Sequence, residues 1–231
     1  MLLAELEVWH SRPVTPTRRV ALGHLVLPAD PPPGFGGLLL GAVVAAHLDG
    51  VDEELIPDLH RLIDQVDRGE RVVQPRMRHR YQVDRHGLAH STHRMIGDGE
   101  DLSFEFRANG TPLQQVLGAV YATERLEQTS RHAVTAILYK AMRWRGPIGP
   151  ALISYFVGSR AASFSTLADP RAWALGVLGF PHGTVSPPKK EVVAAFRNRL
   201  REVHPDHGAS HAAASAAIND LAEARRILTQ R

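Results

Sequence analysis

The sequence predicts an α+β domain, a β-meander plus helices, followed by an all-α domain built as an antiparallel helical hairpin. Three observations carry this reading. Apolar and polar residues alternate near the N-terminus and again between residues 77 and 106, as strands with one buried face require. Apolar residues recur at helical spacing in between and afterwards. The stretch "SRAASFSTLADP", Ser159 to Pro170, has a linker's composition, and only helical patterning follows it. The expected division is therefore residues 1–158, a linker at 159–170, and a helical domain at 171–231.

Composition bounds what these domains can do. Of the 231 residues, 44% are hydrophobic and 22% charged, enough apolar material to bury a core. There is no cysteine, which excludes a disulfide framework, thiol catalysis and a cysteine-based zinc site. The opening "MLLAELEVWH" lacks the basic start and apolar run of a secretory signal. The longest apolar run, "GGLLLGAVVAA" from Gly36 to Ala46, falls short of the ~20 residues of a membrane span. A cytoplasmic, soluble protein is expected.

The elements follow in order. Leu2, Ala4, Leu6 and Val8 share one face of a strand, with Glu5 and Glu7 opposite. Val20 to Leu27 is a second strand, and "PADPPPGFGG" (Pro28 to Gly37) is a turn-rich connection. Gly37 to Leu48 reads as a buried helix. Val51 to Val66 reads as another, with Pro57 in its first turns, where proline is tolerated. The meander follows: Met77, His79, Tyr81 and Val83 on one strand, Leu88 to Ile96 on the next, and Leu102, Phe104 and Phe106 on the last. Thr111-Pro112 is an N-cap followed by proline at the first helical position. It opens a helix over 112–126, and a second is expected over 130–145. "ALISYFVG" fits helix or strand.

Beyond the linker three helices are expected: about 171–178, about 188–203 with Ser186 as N-cap, and about 211–229. On a helical wheel of the second, Val192, Leu200 and Val203 fall within about 40° of Phe196 and form a core stripe. Lys190, Arg197 and Arg201 fall between about 100° and 140°, a flank with three cations and no acid. The third helix repeats Ala214, Ala217, Leu221, Ala224 and Leu228 at spacings of three and four, small enough for close approach. His204-Pro205-Asp206 ends the second helix, because proline forces the residue before it out of helical geometry.

These residues carry a resemblance. "WALGVLGF", "AAFRNRLREVHPD" and "LAEARRIL" are similar to the three helices of a J-domain, the module of Hsp40 (DnaJ-family) co-chaperones, over about Arg171 to Arg231. The resemblance implies docking on an Hsp70 (DnaK-type) chaperone in its ATP state and stimulation of its ATPase. It implies that Lys190, Arg197 and Arg201 meet an acidic surface, and that His204, Pro205 and Asp206 engage the junction of nucleotide-binding domain and linker. It implies no catalytic site and no cofactor in this chain. Arg199, Leu175, Ala222 and Arg225 depart from the family's usual residues, and there is no glycine-phenylalanine-rich linker. The first 158 residues are expected to deliver a client or a location. The alternative is a J-like scaffold or a nucleic-acid-binding module without Hsp70 activity.

The charge distribution agrees with a partner-binding C-terminus. Nine Lys or Arg against five acids after residue 170 give +4, leaving −1 for the rest. Other motifs read as ordinary structure. His90 and His93 would point to opposite faces of a strand, so with His79 and His86 they do not make a metal site. Arg71, Arg76, Arg78, Arg80 and Arg85 around Tyr81 could touch nucleic acid, but alternating arginine on an outer strand face is ordinary. "GFGG" lacks the Lys-Ser/Thr of a phosphate loop and reads as a tight turn onto a close-packed helix.

Overall fold

The structure, a computed structural model, describes residues 1–11, 20–70, 88–158, 163–181, 183–203 and 211–229. The chain divides into two compact units, Met1–Phe156 and Val157–Arg231. The division falls just before the expected linker. That linker is also not structureless: Ser163 caps a short helix within it, accepting the Thr166 amide.

The N-terminal unit is α+β. Its sheet has four antiparallel strands, β1 (Leu2–Ser11), β2 (Val20–Val26), β3 (Leu88–Asp98) and β4 (Asp101–Arg107), in the order β2-β1-β3-β4. β3 is flanked by β1 and β4, so the described sheet is two hairpins joined through β1 and β3. The expected strand at 77–83 lies outside the described residues. Gly99 takes the positive φ (59°) that a two-residue hairpin loop needs at its first position.

Alternation decides which face is covered. Ala4, Leu6, Val8 and His10 of β1 and Ala89, Ser91, His93 and Met95 of β3 are buried. Glu5 lies on the opposite face, where it pairs with Arg94 (2.5 Å) and His24 (3.1 Å). One expectation fails at the strand's start. Leu2 is 44% exposed and Leu3 is buried instead, because the β1–β3 register shifts between Leu2 and Ala4. Such an irregularity turns every side chain before it to the other face.

Two helices cover the buried face: α1 (Gly34–His47) and α3 (Pro112–Thr123). Behind them lie α2 (Ile56–Asp67) and α4 (Gln128–Arg143), with α4 packed on α1. α1 is apolar all round and buried from Gly36 to Val44, as a helix enclosed on every side must be. Small residues set its distance from α4: a Cβ at Gly41 would lie 2.5 Å from Ile137 and 2.9 Å from Phe156. α2 begins later than its pattern suggests, since Glu53–Leu55 form a 3₁₀ turn capped by Asp52; Pro57 sits in the first turn as expected. α3 opens on a full capping box, Thr111 with Gln114. "ALISYFVG" resolves as helix α5 (Pro150–Val157).

The C-terminal unit is helical: α6 (Phe164–Ala168), α7 (Pro170–Val177), α8 (Lys189–Glu202) and α9 (His211–Thr229). α9 packs against both α7 and α8. Among the described residues, no helix is long and apolar enough to cross a membrane.

Candidate functional site: a cationic helix flank in the C-terminal unit

Three short-range features place α8. Asp169 caps α7 by accepting the Ala172 amide at 2.9 Å. Arg171 on the first turn of α7 donates to the Val185 carbonyl (2.9 Å) and the Ser186 hydroxyl (3.2 Å), tying back the segment that leads to α8. Ser186 is thus an acceptor for Arg171 and not the expected cap; Pro188 occupies the N-cap position.

α7, α8 and α9 share one core. Ala174, Leu178, Val192, Leu221, Ala224 and Leu228 are buried, and Phe196, Ala195 and Val203 pack against them. Of the stripe that periodicity marks on α8, Val192 is buried and Phe196, Leu200 and Val203 are half-buried. On α9, Leu221, Ala224 and Leu228 are buried and Ala217 is half-buried.

The flank beside that stripe is open. Lys190, Arg197 and Arg201 are all exposed, and among the described residues none of them holds an ion pair. Arg199 is engaged differently. It donates to Glu202 at 2.9 Å, and its guanidinium lies over Gly179, where a Cβ would come within 2.5 Å of it. Gly179 also has φ of 75°, so the glycine of "VLGF" serves both the left-handed turn and the space Arg199 fills. Arg225 sits 5.0 Å above the Phe196 ring, a cation–π contact between α9 and α8. His204, Pro205 and Asp206 lie outside the described residues.

The motifs of the N-terminal unit distribute as follows. His79 and His86, and the arginines from Arg71 to Arg85, lie outside the described residues. His90 is exposed and stacks on Trp9 with ring centroids 4.7 Å apart. His93, on the other face, is fully buried and joined to Gln115 at 2.9 Å. Two amides of "GFGG" are committed to the fold: Gly36 donates to the Pro28 carbonyl (2.8 Å) and Gly37 to that of Pro33 (3.1 Å). A Cβ at Gly36 would sit 2.7 Å from the Leu27 backbone, the close-packed turn its glycines suggest.

Sequence reasoning missed one constellation. His10, Ser91, His93 and Gln115 form a buried polar layer between sheet and helices, beside His47 at the end of α1. Ser91 donates to the Asn109 carbonyl and accepts the Asn109 amide, both at 2.9 Å; His10 Nε2 meets the same carbonyl. Burial pushes the His93 pKa down to about 4, against a smaller upward pull from the Gln115 hydrogen bond, and burial lowers that of His47 too. The available signal was period: His10 continues the Leu6–Val8 face, and His93 shares a face with Met95. No protein-family model, curated protein or solved structure matches the chain.

Proposed function

We propose that the chain is a cytoplasmic J-domain co-chaperone. Its C-terminal unit docks on an Hsp70 in the ATP state and stimulates ATP hydrolysis; its N-terminal unit supplies a client or a location. In this reading α8 and α9 form the two arms of an antiparallel hairpin, with His204, Pro205 and Asp206 in the connection. The observation that carries it is the open flank of Lys190, Arg197 and Arg201 on the helix that leads directly into that tripeptide.

The division of labour is physical. Solvated cations beside a rigid apolar stripe steer encounter with an acidic surface and raise the on-rate. The tripeptide makes the specific contact, with the Asp206 carboxylate accepting a charge-assisted hydrogen bond from a partner arginine. The chain breaks no bond; it shifts the conformational equilibrium of an enzyme that does the chemistry.

Single-turnover ATP hydrolysis by an Hsp70, with wild type and Asp206→Asn, tests the proposal. Wild type accelerates hydrolysis and the variant returns it to the basal rate. Equal rates with both proteins, or no acceleration by either, overturn it. A lysate pull-down in which wild type retains Hsp70 and His204→Gln does not is the matching binding result; recovered RNA in its place would assign a nucleic-acid-binding role.

A further inference from the structure

The polar layer of the N-terminal unit has a definite proton arrangement. The Gln115 amide nitrogen donates to the carbonyls of Asn109 (3.3 Å) and Thr111 (3.5 Å), which leaves its Oε1 as the acceptor toward His93. His93 therefore donates from Nε2, and its Nδ1 carries a lone pair. That Nδ1 is buried without a hydrogen-bond partner, and so is Nε2 of His47. The two rings lie 5.5 Å apart between centroids, and both meet Phe106 edge-on, at 5.5 and 5.9 Å.

The charged surroundings are just as definite. From β1 the layer receives His10, from β3 Ser91, from β4 Phe106, from α1 His47 and from α3 Gln115. His10 is the only other titratable group among them. Among the described residues no carboxylate, lysine or arginine acts on either ring; the one charge that bears on His93 is that of His47.

We propose that His47 and His93 form an acid-operated lock between α1 and the sheet, closed while both rings are neutral. An entering proton can settle on His93 only at Nδ1, where among the described residues there is no acceptor and no anion, and a second imidazole lies close by. An unpaired buried cation is costly enough that the packing yields before the ring charges in place. Because α1 touches β1, β3, α3 and α4, release there loosens the centre of the unit. The depressed pKa values of both rings agree in direction. A base held neutral in the fold contributes stability that is complete above its unfolded pKa near 6.5. That stability is lost as pH falls from there toward the folded value.

Hydrogen exchange followed by mass spectrometry on the full chain, corrected for the intrinsic pH dependence, tests the lock between pH 7.5 and 4.5. Wild-type peptides from α1 and β3 lose protection together below about pH 6.5, by about tenfold per pH unit for each ring that opening frees to protonate. His47→Phe removes one ring at the cost of no hydrogen bond among the described residues, and its protection falls with a shallower slope. Equal slopes for wild type and variant overturn the proposal. Should the variant fail to fold, the wild-type imidazole resonances decide. A His93 ring still neutral at pH 5 supports the lock, and one titrating near 6.5 in the folded chain overturns it.

Discussion

Gln115 sets the chemistry of His93, because its amide orientation dictates which imidazole nitrogen holds the proton. Two substitutions separate hydrogen bonding from charge. Gln115→Leu leaves the His93 N–H unpaired in the core and lowers stability by about 1–3 kcal/mol in urea titration at pH 7.5. Gln115→Glu supplies a carboxylate instead. It raises the His93 pKa, so the pair's contribution is then present at low pH and lost as pH rises through the new folded value, opposite in sign to wild type. In wild type, a fall from 6.5 to about 4 corresponds to at most about 3 kcal/mol of stability at pH 7. Histidine titration by NMR, beside urea unfolding at several pH values, checks both signs. None of this is legible from the residues alone. A strand histidine's partner is a tertiary neighbour, here 22 positions away.

At the scale of the element, legibility follows how local the determining interactions are. α9 spans the residues its pattern predicts, and α3 starts where Thr111-Pro112 says. Capping and helical period are settled within a few residues. α2 and β1 depart where a non-local or competing feature intervenes: a 3₁₀ turn capped by Asp52, and a register shift against β3. α8 joins both cases. Its buried stripe was visible as periodicity, yet Arg199 over Gly179 and Arg225 over Phe196 depend on how α7 and α9 lie against it. Val192, fully buried at the centre of that contact, is the residue on which the arrangement is most exposed to test. Val192→Ala removes two methyl groups from a packed core and costs about 1–3 kcal/mol, seen as faster hydrogen exchange in α7, α8 and α9.

At the scale of the whole molecule, charge is unevenly placed along the chain. The last 61 residues carry +4 and the first 170 carry −1. If encounter with an Hsp70 is steered by the Lys190–Arg197–Arg201 flank, stopped-flow association slows by about tenfold between low and high salt while dissociation changes little. Reversing Arg197 and Arg201 to Glu removes the salt dependence together with the fast association. A salt-independent association rate would separate the cationic flank from partner capture.

The sequence by itself determined the α+β character of the first unit, the helical character of the second, and the cationic flank beside a buried stripe. Each of these is written in short-range period, capping and charge. Only the tertiary structure decided that β3 pairs with β1, that Leu3 and not Leu2 turns inward, and that His47 and His93 face each other without a counter-charge among the described residues. Strand order, register and the partners of a buried imidazole depend on residues far apart in the chain. Their energies arise only once water has left the space between the elements that carry them.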